Sequence, residues 1–361
     1  MSAHEILIYI MAAFAVLGAL DRIFGNRFGL GKEFEKGLHM MGIMLLSMAG
    51  MIIISPAIAD LLEPCFDWTY RVFQIDPSVI PGILFANDMG GAPLAKEIAK
   101  DPTLGLFNGL VVGSMMGATV SFTIPYALGC IKKEQHGDLM LGLLCGIVTI
   151  PLGCFAAGLC CKIPVPTLLL NLLPLALFAG LIALGLFLIP KICVKIFQIL
   201  GAAIKILITL GLALGILKFL TGLEPIPGLT TIEEAGGVCL NAAIVMSGAF
   251  PLLLVLSKVL KKPLQLLGKL LGINETSALG FLANLGSNAN TFELMGRMDP
   301  KGTVLNSSFA VSAAFMFAGH LAFTLAFDAS FLPYVLIGKA IAGITALFFA
   351  ALIYKRTQKN T

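Results

Sequence analysis

Charge is scarce in this chain. Of 361 residues only 12% are Asp, Glu, Lys or Arg, against 58% hydrophobic, and the net charge of +4 leaves no basic surface suited to nucleic acid. A soluble domain needs more polar exterior than that, and a mean hydropathy of +0.96 puts the chain in the bilayer. Histidine is also rare: His4, His39, His136 and His320 form no helical pair of the kind that binds zinc. The eight cysteines (Cys65, Cys130, Cys145, Cys154, Cys160, Cys161, Cys193 and Cys239) include no C-x-x-C and read as small core hydrophobes, not as a disulfide or metal framework. There is no G-x-G-D, and one convincing acid at depth cannot supply the paired carboxylates of an intramembrane aspartyl enzyme. The first apolar run follows Glu5 where a cleavable leader would carry a basic cluster, so it reads as a retained span. These absences argue against an enzyme, and no cofactor or metal is expected.

What the chain has is apolar length. Runs at 6–20, 41–61, 104–128, 139–160, 165–188, 197–220, 238–260, 303–327 and 331–353 mostly exceed the roughly 20 residues that span hydrocarbon. Residues 21–39 between the first two form a mixed-charge connector long enough for an interfacial helix, and Trp68, Tyr70 and Arg71 form an expected aromatic anchor after the second. Segments 79–100 and 277–298 are equally long but interrupted by Gly, Asn and Pro. The first contains Phe85-Ala86-Asn87-Asp88-Met89-Gly90-Gly91-Ala92-Pro93. A carboxylate at membrane depth costs roughly 2.5–3.5 kcal/mol on insertion scales, and Gly-Gly-x-Pro cannot continue a helix. A broken helix beside a buried acid points to a midplane site in a carrier, although an Asp that merely caps a half-helix fits the same residues.

The chain also repeats itself. Asp101-Pro102, Asn108 and Ser114 recur as Asp299-Pro300, Asn306 and Ser312 at an offset of 198. Ala86-Asn87 recurs as Ala283-Asn284, and Gly146-Ile147 as Gly343-Ile344, at an offset of 197. The implied units are a first repeat over 1–160, a connecting helix within 161–192 and a second repeat over 193–361. If both broken segments enter and leave on one side as re-entrant hairpins, most loop Lys and Arg fall on a single face. Lys205 and Lys339 lie inside spans and do not enter that comparison. The reading is an all-α polytopic membrane protein of about nine transmembrane helices plus two re-entrant hairpins, eleven apolar segments in two inverted repeats. The N-terminus lies outside and the C-terminus inside.

In that arrangement the hairpin tips meet near the midplane. The candidate substrate-binding set is Asn87, Asp88, Gly90 and Gly91 from the first hairpin, and Asn284, Asn288 and Glu293 from the second, with Ser114, Ser312 and His320 from the following spans. Amides and exposed carbonyls suit a small ligand with an amine and a hydroxyl, and Asp88 would pair with the cationic end. Blander roles compete: the asparagines as helix caps, the serines bonding back to their own helices, His320 as a neutral packing residue. His320 lies two turns beyond Ser312, so one helix would present both on one side. Lys339 either snorkels or pairs with an acid such as Asp328, and no role is assigned to it.

These residues resemble the ethanolamine utilisation permease family along almost the whole chain. The likeness is carried by Asp88-Met89-Gly90-Gly91 with Leu94-Ala95-Lys96-Glu97, and by Gly113-Ser114-Met115-Met116-Gly117. Gly146-Ile147-Val148-Thr149-Ile150-Pro151, Gly222-Leu223-Glu224-Pro225-Ile226-Pro227-Gly228-Leu229 and Ala310-Val311-Ser312-Ala313-Ala314-Phe315 add to it. The resemblance implies a bacterial inner-membrane carrier importing ethanolamine, by alternating access or facilitated diffusion. A channel-like facilitator, or a carrier of another small polar amine, is the alternative. Carriers of this architecture often pair, so a homodimer in the lipid bilayer is an expectation. Two departures fall in the supposed site. The family commonly has Asp before the histidine matching His320, where this chain has Gly319, and the second hairpin is richer in Ser and Asn than the family's usual Asn-Asn-Ile-Pro.

Overall fold

The computed structural model describes residues 3–131 and 133–357, and the described chain is helical with no strand. In hydrocarbon each backbone donor and acceptor must be satisfied within the protein, which a helix does locally. Among the described residues eight helices are long and apolar enough to cross a membrane.

Helix α1 (Ala3–Ile23) is followed by a turn in which the Asp21 carboxylate accepts from the amides of Phe28 and Gly31, both at 3.0 Å. One helix, α2, then runs without interruption over residues 30–73. The expected connector is thus partly helical, with residues 30–39 forming the first turns of α2. Gly37 lies against the backbone of Met246 and Ser247, so packing holds this charged stretch in the bundle. Of the expected aromatic anchor, Tyr70 and Arg71 lie on the exposed end of α2, and the Trp68 side chain lies outside the described residues.

The first broken segment is α3 (Val79–Leu84), an extended Phe85-Ala86, a single 3-10 turn at Asn87–Met89, then α4 (Gly91–Ile98). Gly90 joins turn to helix at φ 112°, a conformation L side chains rarely adopt. The base is tied by Asp76, whose Oδ2 accepts from the amides of Lys100 and Asp101, both at 3.0 Å, while Oδ1 accepts from the Ser78 amide. Both ends of the segment therefore lie side by side.

Helix α5 (Pro102–Cys130) begins with Pro102 and is N-capped by the Asp101 carboxylate, which accepts from Thr103 at 2.7 Å. Its register opens to π-helix over Phe107–Gly117 and Thr119–Thr123, and Phe107–Gly117 is buried throughout. Gly113 and Gly117 let the first hairpin rest directly on it: a Cβ on Gly117 would stand 1.8 Å from the Phe85 carbonyl oxygen. Next come α6 (His136–Ile147) and α7 (Ile150–Cys160), separated where Pro151 prevents continuation. Helices α8 (Val165–Leu188) and α9 (Pro190–Thr221) expose Leu181, Phe187, Ile199 and Leu210, as lipid-facing helices do. Helix α10 (Ile232–Val259) packs inside α1 and α2, and the amphipathic α11 (Lys261–Leu271) follows. Of the cysteines read as core residues, Cys145, Cys154 and Cys239 are buried, whereas Cys130 and Cys160 are exposed at helix ends.

The second broken segment is α12 (Glu275–Gly286), an extended Ser287, and α13 (Asn288–Leu294). Asp299 ties its base, accepting from the Asn274 amide at 2.9 Å and the Ser277 hydroxyl at 2.7 Å. Asp299 also caps α14 (Pro300–Ala313). The repeated residues perform the same tasks twice: Asp101 and Asp299 cap helices that start with Pro. Asn108 donates to the Ser78 hydroxyl and Asn306 to the Ser277 carbonyl, each at 2.8 Å.

The expected span at 303–327 is not one helix. It stops at Ala313, crosses a non-helical stretch at 314–318 and resumes as α15 (Gly319–Asp328), leading into α16 (Leu332–Thr357). The cause is tertiary. Phe315 and Phe317 donate their amides to the carbonyls of Asn284 and Leu285, at 3.0 and 2.9 Å, so this stretch pairs with the second hairpin in place of its own helix. Phe315 adopts φ 60°, which non-glycine residues keep only where surroundings enforce it.

Candidate functional site

Both broken segments open onto one cavity of about 740 Å³. The first contributes Ala86, Asp88 and Met89, and the second Leu282, Ala283, Gly286, Ser287 and Asn290. The 314–318 break and the start of α15 close its deep end with Phe315, Ala318, Gly319 and His320. The other end reaches Glu33 and Lys36 on α2 and Ser257 on α10. Glu33 and Lys36 pair at 3.7 Å, and the Lys36 ammonium stands 5.0 Å from the centroid of Phe250, another lining residue.

Asp88 is half-buried and faces this space from the turn between α3 and α4. It makes no ion pair among the described residues. A side chain at position 319 would place its Cβ 3.9 Å from Asp88 Oδ2, so Gly319 leaves the carboxylate open to the cavity. Next to it is an aromatic cluster. Phe122 meets Phe315 edge-on with centroids 5.8 Å apart, and Phe315 lies 4.9 Å from the His320 ring. A carboxylate beside aromatic rings attracts a cation both by charge and by the ring quadrupoles.

The structure brings some of the sequence-derived set to the cavity and leaves others behind its wall. Asp88 and His320 line it directly. Asn87, Asn284 and Asn288 are fully buried beside it, as are Ser114 and Ser312. Gly90 and Gly91 shape the turn and are buried against Met51 and Phe85. Glu293 is exposed and does not line the cavity. Ser114 bonds back to the Val111 carbonyl at 3.0 Å, the local role expected of a helical serine. Asn288 donates to the Thr123 hydroxyl at 2.9 Å, and Asn284 reaches the Asn306 carbonyl at 3.3 Å. Ser312 and His320 do not share one helix, because the break separates them.

Buried polar atoms normally find partners, and an unmet one costs about 1–3 kcal/mol. Among the described residues eight have buried side-chain atoms without one. Five of these belong to the candidate set: Asn87 (both amide atoms), Asn284, Asn288, Ser312 and His320. Unspent hydrogen-bonding capacity is thus concentrated at the hairpin tips and the break.

A residue left without a role on sequence grounds sits at the centre. Lys339 on α16 is fully buried, and its ammonium donates to the carbonyls of Ser114, Ser312 and Ala314 at 2.8, 2.8 and 3.0 Å. It neither snorkels nor meets Asp328, whose carboxylate instead accepts from the amide and hydroxyl of Ser330. The only signal in the sequence was a lysine in mid-run. Glu33 and Lys36 were also missed, because they seemed to belong to a surface connector.

The family model described as ethanolamine utilisation protein EutH matches residues 3–353. The chain belongs to the EutH family. It is 44% identical to a protein of Listeria monocytogenes named probable ethanolamine permease EutH, over 100% of this chain and 96% of that one. It is 40% identical to the protein of that name from Salmonella typhimurium, over 98% of this chain and 96% of the relative. It is also 38% identical to the uncharacterized protein YxeR of Bacillus subtilis, over 97% and 95%. No solved structure matches the chain. Membership of the EutH family, together with the eight apolar helices of spanning length among the described residues, makes this an integral membrane protein with permease relatives.

Proposed function

We propose that this EutH-family chain carries ethanolamine across the bacterial inner membrane, binding its ammonium at Asp88. The observation that carries the reading is an Asp88 carboxylate without an ion-pair partner among the described residues, lining a cavity that both broken segments help to form. Phe122 and Phe315 offer aromatic faces to the same cation, and His320 Nδ1 remains available for the substrate hydroxyl.

The bases of segments 79–100 and 277–298 are each tied shut, which supports reading them as re-entrant hairpins of two inverted repeats. With the N-terminus outside and the positive loops inside, Glu33, Lys36 and Ser257 fall on the cytoplasmic face. The cavity is then open inwards, and far roomier than a four-heavy-atom amino alcohol needs. A second, smaller cavity of about 180 Å³ lies at the base of the first hairpin, lined by Lys96, Glu97 and Glu234, on the opposite face in this topology. Two cavities at opposite ends of one hairpin favour alternating access over a continuous pore.

The test is uptake of labelled ethanolamine into proteoliposomes by wild type and Asp88→Asn, with and without an imposed pH gradient. Saturable uptake by wild type that is lost in the variant supports the proposal. Undiminished uptake by Asp88→Asn moves the site elsewhere, and absence of uptake by wild type removes ethanolamine as the substrate.

A further inference from the structure

Lys339 presents an unusual balance of charge. Its ammonium has three N–H bonds, and three backbone carbonyls take all of them. No carboxylate of the described residues lies within ion-pair distance of it. The cation is therefore solvated by backbone dipoles alone, at a position with no exposure.

Two of the three carbonyls come from matching positions in the sequence. Ser114 and Ser312 are equivalent residues of the repeat, and each turns its carbonyl oxygen to the same point, 2.8 Å from Nζ. The Ser114 carbonyl comes from the π-helical stretch of α5. Those of Ser312 and Ala314 come from the end of α14 and the break after it, where the helix no longer consumes them and its dipole is negative. Carbonyls freed at a helix break, meeting a further backbone carbonyl at one buried point, are how carriers hold a coupling alkali ion.

We infer that these three carbonyls form a monovalent-cation site that the tethered ammonium of Lys339 fills permanently, so that the carrier needs no free alkali ion. The class of ligand that the site accepts when the lysine is removed is a small hard cation, sodium or potassium, or free ammonium. This goes beyond the assignment of Asp88 and does not depend on the identity of the transported amine.

The test compares thermal unfolding of purified wild type, Lys339→Ala and Lys339→Met in chloride salts of sodium, potassium, ammonium and tetraethylammonium at equal ionic strength. Lys339→Ala vacates the site, so its Tm should fall below wild type in tetraethylammonium and recover by at least half in one of the small cations. Lys339→Met removes the charge but fills the space, so it should lose stability without recovery. Wild type should show the same Tm in the sodium and potassium salts. A Lys339→Ala Tm that is equal in tetraethylammonium and in every small cation would overturn the inference, as would recovery of Lys339→Met. A second measurement holds even where Lys339→Ala does not fold: wild-type ethanolamine uptake should be unchanged when iso-osmotic sucrose replaces sodium and potassium chloride on both sides. Loss of uptake in sucrose that sodium or potassium restores would overturn the inference. Should wild type move no ethanolamine, the thermal comparison still decides this claim separately from the proposed substrate.

Discussion

Gly117→Ala puts one methyl group where the first hairpin touches α5. The new Cβ would stand 1.8 Å from the Phe85 carbonyl oxygen and 2.4 Å from its carbon. Both are backbone atoms, so no side chain can rotate away. Opening 1.8 Å to the 3.0 Å below which such contacts essentially never occur shifts the hairpin backbone by about 1.2 Å. Overpacking of this kind costs about 1–3 kcal/mol. The displaced residue lies three positions before Asp88, so the carboxylate moves as well, and misplacement by about 1 Å can cost on the order of a hundred-fold in rate. The expected result is a lower Tm together with reduced ethanolamine uptake in proteoliposomes. Gly129→Ala is the control: nothing stands within 4 Å of its added Cβ, and both readouts should match wild type. Gly117→Ala with wild-type Tm and uptake would refute the claim that this contact seats the hairpin.

Three further outcomes are expected. Asp299→Ala should lower Tm more than Asp101→Ala. Each loses an N-cap worth about 0.5–2 kcal/mol, but Asp299 also holds Asn274 and Ser277 at the hairpin base. Gly319→Leu should raise KM for uptake on the order of ten-fold with little change in Tm, because it fills the cavity beside Asp88 without meeting backbone. Outside the spans, Lys100 donates to Asp67 at 2.5 Å and holds its carboxyl below the ordinary 3.8. That stabilisation is present above pH 3.8 and is lost as pH falls through the lowered value. Wild type should therefore have a slightly higher Tm than Asp67→Asn at neutral pH, and the gap should close in strong acid. Exposure of both side chains keeps the effect small.

Much of the architecture is legible in the sequence, because it is set by local chemistry. Gly90 and Pro93 cannot sit in an uninterrupted helix, and the Asp-Pro pairs at 101–102 and 299–300 mark helix starts in both halves. The site is only partly legible. Asp88 and His320 are conspicuous because they are costly at depth, whereas Glu293, included from the second hairpin, lies exposed. The break at 314–318 has no local cause: Ala314-Phe315-Met316-Phe317-Ala318 contains neither Gly nor Pro and would read as helix anywhere. It opens because the Asn284 and Leu285 carbonyls take the amides of Phe315 and Phe317. That opening frees two of the three carbonyls that hold Lys339, those of Ser312 and Ala314, so the setting of Lys339 was as hidden as the break. The stretch over 30–40 failed in the opposite direction. Its charges suggested a surface connector, but two of them, Glu33 and Lys36, line the cavity mouth from the start of a long apolar helix.

The account rests above all on Asp88 recognising the ammonium. The direct measurement is calorimetric binding of ethanolamine to purified wild type, Asp88→Asn and Asp88→Glu in detergent. Removing one partner of a desolvated charge pair costs about 2–5 kcal/mol, so Asp88→Asn should bind at least about thirty-fold more weakly, and Asp88→Glu should retain part of the affinity. Wild-type affinity in Asp88→Asn would contradict the account and leave Asp88 no role beyond shaping the turn between α3 and α4.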